Sequence, residues 1–203
     1  MRRSSSLLEG KTDILLGIPD GDQTRSSFSQ IKSFAERFSN GLSFGANGAR
    51  MGMFTYSDNA KPVVQLSSGV SKSVVNSGIQ RMTHGGGGNR KDVALQYAAR
   101  QLNRNARSGA NKAIVLLSDG ASSPGSSDMS RITRSNPNID VVSVTVGTPA
   151  RTEAARLGRE VVSYGNYPEL LSSGPLDVTS TLAELARATT TTQIGRASCR
   201  ERV

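Results

Sequence analysis

The sequence predicts an α/β fold, a doubly wound and mostly parallel open sheet with helices on both faces. Short apolar runs of strand length alternate with stretches of helical spacing, the pattern of successive βαβ units. Right-handed crossovers then place helices on both sides of the sheet. A second observation sharpens this. The glycine run Gly85–Gly88 opens a helical stretch from Lys91, which leads into the apolar segment Asn111-Lys-Ala-Ile-Val-Leu-Leu-Ser-Asp119-Gly120. In an open α/β sheet the loops at the carboxyl ends of the strands form the ligand crevice. Asp119 and the glycine loop are therefore placed at a site.

Residues 1–12 form a polar lead-in. Asp13–Ile18 is a short apolar run stopped by Pro19-Asp-Gly-Asp22, which predicts a buried strand. Phe28, Ile31, Phe34 and Phe38 recur at steps of three and four, one face of a helix. Thr24 or Ser26 is expected to cap its start and Asn40-Gly41 its end. Ala49–Ser57 reads as a strand, and Pro62–Leu66 as an edge strand, where a proline is tolerated. Val70–Met82 has moderate helical spacing. Lys91–Ala106 is a stronger helix, with Leu95, Ala98, Ala99 and Leu102 on one face. Ala113–Leu117 is the central strand, and residues 122–127 form a Ser/Pro/Gly loop before a short helix over Asp128–Arg134. Asp140–Val146 is a further strand, Thr152–Leu157 a helical turn or two, Glu160–Tyr164 a last strand, and Val178–Ala188 a closing helix.

A chain of 203 residues accommodates one domain with a full core. That domain is expected over residues 13–188, followed by a frayed end or linker at 189–193. Ile194–Val203 resembles the conceptual translation of a sequencing adapter and is set aside from fold reasoning. The single cysteine, Cys199, lies in that segment, so no disulfide, thiol nucleophile or cysteine metal ligand is expected elsewhere. The segment carries three arginines and one glutamate, so without it the net charge of +9 becomes +7. No apolar run approaches ~18 residues, so no membrane span is expected. Met1-Arg-Arg is followed by only two consecutive apolar residues, Leu7 and Leu8, against the roughly 7–15 of a secretory signal.

The glycine loop, its helix and the strand ending on Ser118-Asp119-Gly120 together resemble a von Willebrand factor A domain, the integrin I-like adhesion module. The resemblance covers nearly all of residues 13–188. It implies a metal-ion-dependent adhesion site at the crest, built from an Asp-x-Ser-x-Ser turn after the first strand, a threonine in the glycine loop and an aspartate after the fourth strand. Such a site suits Mg²⁺ or Mn²⁺, hard ions that take oxygen ligands. Asp119 matches the last position. Gly88 stands where the threonine belongs, with Asn89 or Asp92 as the nearby alternatives. Pro19, Gly21 and Gln23 stand at the first turn, and a shift of one residue restores oxygens at Asp20, Asp22 and Thr24. The resemblance thus implies metal ligands at Asp20, Asp22 and Asp119, and a contact crest at Asp20, Asp22, Gly88, Asn89, Asp119 and Gly120. The opposing expectation is a decayed site, with the aspartates as turn and cap residues.

Other chemistry is thin. Lys91 is followed by Asp92, so the P-loop order is absent. His84, the sole histidine, precedes four glycines and reads as a solvated loop residue, so a Ser-His-Asp relay is not expected. Arg100, Arg104 and Arg107 fall at i, i+4 and i+7 opposite the apolar face. They read as a solvated face, or as an anion-binding stripe for sulfated glycans or an acidic protein surface. With four Tyr and five Phe, three of them expected in the core, stacking platforms for nucleic acid are scarce. The expected function is binding of a protein or extracellular-matrix ligand, at the cell surface or outside it, rather than catalysis. The alternative is a metal-independent intracellular scaffold of the same fold.

Overall fold

The computed structural model describes residues 10–123, 129–147 and 160–200, with side chains up to residue 189. Six strands form one sheet: β1 (Thr12–Pro19), β2 (Ala49–Tyr56), β3 (Ala60–Val64), β4 (Asn111–Asp119), β5 (Asp140–Val146) and β6 (Glu160–Tyr164). Their order is β3-β2-β1-β4-β5-β6, with only β3 antiparallel to its neighbour. The doubly wound, mostly parallel sheet expected from the alternating pattern is therefore present. β1 pairs on both sides, Leu16 with Met53 and with Val115, and so is the buried centre of the sheet. That explains its unbroken apolar run, because a strand covered on both faces has no polar side.

Helices α1 (Phe28–Gly41), α2 (Lys72–Arg81) and α5 (Tyr167–Arg200) cover one face. There Phe34, Phe38 and Ile31 meet Ile14, Leu16, Val115 and Leu170. Helices α3 (Lys91–Asn105) and α4 (Met129–Arg134) cover the other face, where Leu95, Ala98 and Leu102 meet Leu15, Phe54, Ile114 and Val141. Successive strand residues alternate between these two cores, as the pleat requires. Gly52 marks a tight approach in β2: a Cβ there would stand 3.0 Å from the Leu66 Cα.

Three local expectations are corrected. A 3-10 turn over Asp22–Ser27 precedes α1. Neither Thr24 nor Ser26 caps the helix. The Thr24 hydroxyl donates back to the Gly21 carbonyl at 2.8 Å, and Ser27 occupies the N-cap without a side-chain bond. At the other end Leu42 is the C-cap, its N–H donating to the Ser39 carbonyl. The closing helix begins at Tyr167, eleven residues before the expected Val178, and contains Pro175. Its backbone continues helical through the threonine run expected to fray, as far as Arg200. The early start escaped the apolar pattern because Ser172-Ser173-Gly174-Pro175 interrupts it. The expected turn at Thr152–Leu157 and residues 124–128 lie outside the described residues.

The arginine stripe is also corrected. Arg107 lies beyond the end of α3 and points to the amino ends of the strands, opposite the crest. Its Nε donates to Asp13 Oδ1 at 2.8 Å and its backbone N–H to Asp13 Oδ2 at 2.6 Å. Its remaining donors reach the carbonyls of Gly45, Ala46, Thr12 and Gly48. A carboxylate as buried as Asp13 needs a cation, and this pairing takes Arg107 off the helix face. Arg104 remains exposed on that face, and Arg100 donates to Gln96.

Candidate crest site at the carboxyl ends of the strands

The crest is assembled by backbone bonds that follow from where β1, β2 and β4 end. The Asp20 N–H donates to the Tyr56 carbonyl at 2.9 Å, and the Asp20 carbonyl accepts from the Gly86 N–H at 2.8 Å. Asp22 donates to the Gly87 carbonyl at 2.9 Å, and Arg90 to the Ser57 carbonyl at 2.8 Å. The glycine loop is thus laced to the ends of β1 and β2. Gly86 and Gly87 sit at φ 76° and 99°, left-handed values that side-chain-bearing residues rarely adopt.

Asn89 joins the loop to β4. Its Nδ2 donates to the Asp119 and Ala121 carbonyls at 3.2 and 2.8 Å, and its own N–H donates to Ser123 Oγ at 2.6 Å. Asn89 is 4% exposed, so its side chain is an internal staple and not the contact residue that was expected. Lys91 does the same from the first turn of α3, its fully buried Nζ donating to the Gly120 carbonyl at 2.7 Å. Asp92, expected as a stand-in oxygen ligand, accepts a bidentate pair from Arg90 at 2.8 and 2.9 Å. That bond and the charge of Asp92 hold the guanidinium further toward its charged form.

The aspartates divide. Asp22 is exposed and pairs with Arg25 at 3.2 Å, a surface contact worth little. Asp20 is 2% exposed. Asp119 accepts the Tyr167 hydroxyl on Oδ2 at 2.6 Å. Tyr167 is buried at the start of α5, and burial first, then the bond to Asp119 and its charge, pushes its pKa above the usual 10. The folded state therefore favours the protonated phenol. Its contribution to stability is complete below about pH 10 and is lost as pH rises beyond it. Tyr167→Phe is expected to flatten the alkaline fall in melting temperature, followed by circular dichroism.

Asp58, just after β2, is a crest residue that the sequence pattern did not single out. Its Oδ2 accepts the Gly88 N–H at 3.1 Å, and a Cβ at Gly87 would lie 2.7 Å from the same oxygen. The carboxylate thus stands over the glycine loop. The signal available was position, an aspartate directly after a strand end beside the loop. His84 is not simply solvated: Nε2 lies 2.9 Å from the Gly21 carbonyl, and the ring stands edge-on to Phe28 at 5.2 Å.

The von Willebrand factor type A domain model matches residues 21–164. The chain belongs to that family. Bovine (Bos taurus) integrin alpha-2 is 33% identical over 100 residues, 47% of this chain and 8% of the relative. The human (Homo sapiens) collagen alpha-5(VI) chain is 26% identical over 129 residues, 63% of this chain and 5% of the relative. The chain therefore spans less than a tenth of either curated relative. Among solved structures, the mussel byssus proximal thread matrix protein 1 with a zinc-occupied MIDAS motif superposes with a TM-score of 0.72. The two are 20% identical over 87% of this chain and 48% of that one. At that identity the likeness is one of fold.

This domain's residues do not reproduce the family's metal set. Among the described residues, no three of His, Cys, Asp and Glu gather to hold a metal ion. Asp20 is buried, Asp22 is exposed and salt-bridged, and Asp119 is engaged by Tyr167. Thr24, the third oxygen of the shifted turn, is buried against the Pro19 and Gly21 carbonyls. Gly88 brings no side-chain oxygen, and Asp58 leans over it instead. Asp20, Asp22 and Asp119 all stand at the crest, with Asp22 paired to Arg25 and Asp119 bonded to Tyr167, whereas a hard divalent ion needs several converging oxygens.

Proposed function

We propose that this von Willebrand A domain is a binding module that meets a protein or matrix ligand through its crest, by side chains rather than a bound cation. The observation that carries the reading is the laced crest itself. Asp22 and Asp58 are tied to the glycine loop through Gly87 and Gly88, and Asn89 and Lys91 tie that loop to Asp119, Ala121 and Gly120 at one end of the sheet. A rigid scaffold presenting polar loop groups is the usual form of a recognition site. Kinship with an integrin and a collagen chain supports a matrix ligand and a cell-surface or extracellular setting. No catalytic role is proposed.

The test is a charge reversal at exposed crest positions. Asp22→Lys with Asp58→Lys is expected to weaken binding to immobilised extracellular matrix at least about tenfold, the loss of a charge-assisted contact or two. Arg104→Glu, on the far side of α3, is the control and should change binding little. Equal binding by the crest variant and wild type would reject the reading. Retention unchanged by added EDTA or Mg²⁺ is expected, because the contact does not pass through a metal.

A further inference from the structure

The Asp20 carboxylate is the unexplained group of the molecule. Asp20 is 2% exposed, yet among the described residues its side chain makes no hydrogen bond or ion pair; only its backbone is engaged. A carboxylate so far removed from bulk water is costly unless it meets a cation or donors. It opens into a cleft of about 310 Å³ between β3 and α2, whose walls include Pro62, Val63 and Met82. Lys61 and Arg81, both exposed, stand at the same cleft. Lys61 Nζ flanks the Gly85 backbone on which Asp20 Oδ2 also closes, 3.3 and 2.7 Å from the point a Cβ would take. It makes no salt bridge with Asp20.

We propose that this cleft is a receptor for a basic side chain, an arginine or lysine of the partner, carried next to an acidic residue. The ammonium or guanidinium meets Asp20. The alkyl stem lies along Pro62, Val63 and Met82, as long cationic side chains do on apolar surface. The neighbouring carboxylate of the partner meets Lys61 and Arg81, which would repel a ligand that is only cationic. This inverts the chemistry of the family's metal-bearing crest: without the cation, the domain offers a carboxylate and the ligand must bring the positive charge. The proposal rests on the crest being the contact surface and names what that surface takes.

The probe is a capped Arg-Glu dipeptide titrated into the ¹⁵N-labelled chain, with capped norleucine-Glu as its uncharged counterpart. Saturable shifts are expected at the amides of Thr55, Thr83 and Gly85 with Arg-Glu, at least about tenfold weaker with norleucine-Glu or in Asp20→Asn. Thr83→Arg, an exposed substitution at the cleft, should place a guanidinium against Asp20 in the same chain and abolish probe binding while raising the melting temperature. That variant keeps the test open if Asp20→Asn folds poorly. Equal binding of the two dipeptides, undiminished binding in Thr83→Arg, or the same amides saturating with Mg²⁺ alone would overturn the proposal. The titration uses no matrix ligand, so its failure is separate from failure of the crest reading, which the charge reversal tests by itself.

Discussion

Arg107→Ala is expected to destabilise the domain by about 3–5 kcal/mol, the cost of removing one partner of a buried ion pair. On a chain of this size that is a fall in melting temperature on the order of 10 °C. The size follows from what stays behind. Asp13 is wholly buried at the start of the central strand, and among the described residues Arg107, with 15% of its side chain exposed, is its only cation. The same guanidinium also satisfies four carbonyls in the loop before β2 and at the start of β1. Alanine leaves a buried charge without its cation and takes one donor from each of these carbonyls, of which Gly45 and Gly48 keep a backbone N–H. Arg107→Lys should recover less than half, because a single ammonium cannot reproduce the fork. A melting curve for Arg107→Ala within about 2 °C of wild type would show that the pair is not a structural anchor. Arg104→Ala, three residues away and exposed, should be nearly silent.

The second large effect is expected at Asn89. Asn89→Asp replaces two amide donors with carboxylate oxygens facing the Asp119 and Ala121 carbonyls, which then repel it. A cost of about 2–4 kcal/mol follows from buried acceptors losing charge-neutral donors and gaining a poorly solvated anion. Asn89→Ala should cost less, about 1–2 kcal/mol, because it removes the donors without adding charge. Both variants should release the glycine loop from β4. Faster amide exchange at Gly87, Gly88 and Gly120 would record it. If Asn89→Asp were the milder change, or if it created Mg²⁺ binding, Asn89 would be a ligand-facing residue and not a staple.

How far the molecule could be read from its residues differs between scaffold and crest. The strands were legible because a doubly covered parallel strand has to be apolar throughout. Ile14–Ile18 and Ala113–Leu117 show it, and Val141–Val146 departs from it only at the buried Ser143 and Thr145. The helices α1 and α3 were legible from single apolar faces, Phe28/Ile31/Phe34/Phe38 and Leu95/Ala98/Leu102, which pack as their spacing requires. α5 was only half legible. Its first turns are anchored by Tyr167 and Leu170, and the small residues before Pro175 break the periodicity that would have joined them to Val178 and Leu182.

The crest was legible as a place and not as a chemistry. Asp20, Asp22, Gly88, Asn89, Asp119 and Gly120 do lie at the carboxyl end of the sheet, as the alternation of strands and helices requires. Their individual roles depended on partners far away in the chain. Tyr167 reaches Asp119 across 48 positions, Asn89 reaches Ala121 across 32, and Asp58 reaches Gly88 across 30. No local pattern encodes such pairings, because they are made only when separate elements pack.

By itself, then, the sequence determined the layered α/β scaffold, the family to which the chain belongs, and the end of the sheet where the glycine loop and Asp119 come together. These depend on periodicity and short-range turn chemistry, which act within a few residues. Only the tertiary structure decided which carboxylates are free. It assigned Asp119 to Tyr167 and Asp13 to Arg107, left Asp22 on the surface, and buried Asp20 at a cleft without a side-chain partner among the described residues. Burial and long-range pairing set the electrostatic cost of each charge, and both arise only once the chain has folded.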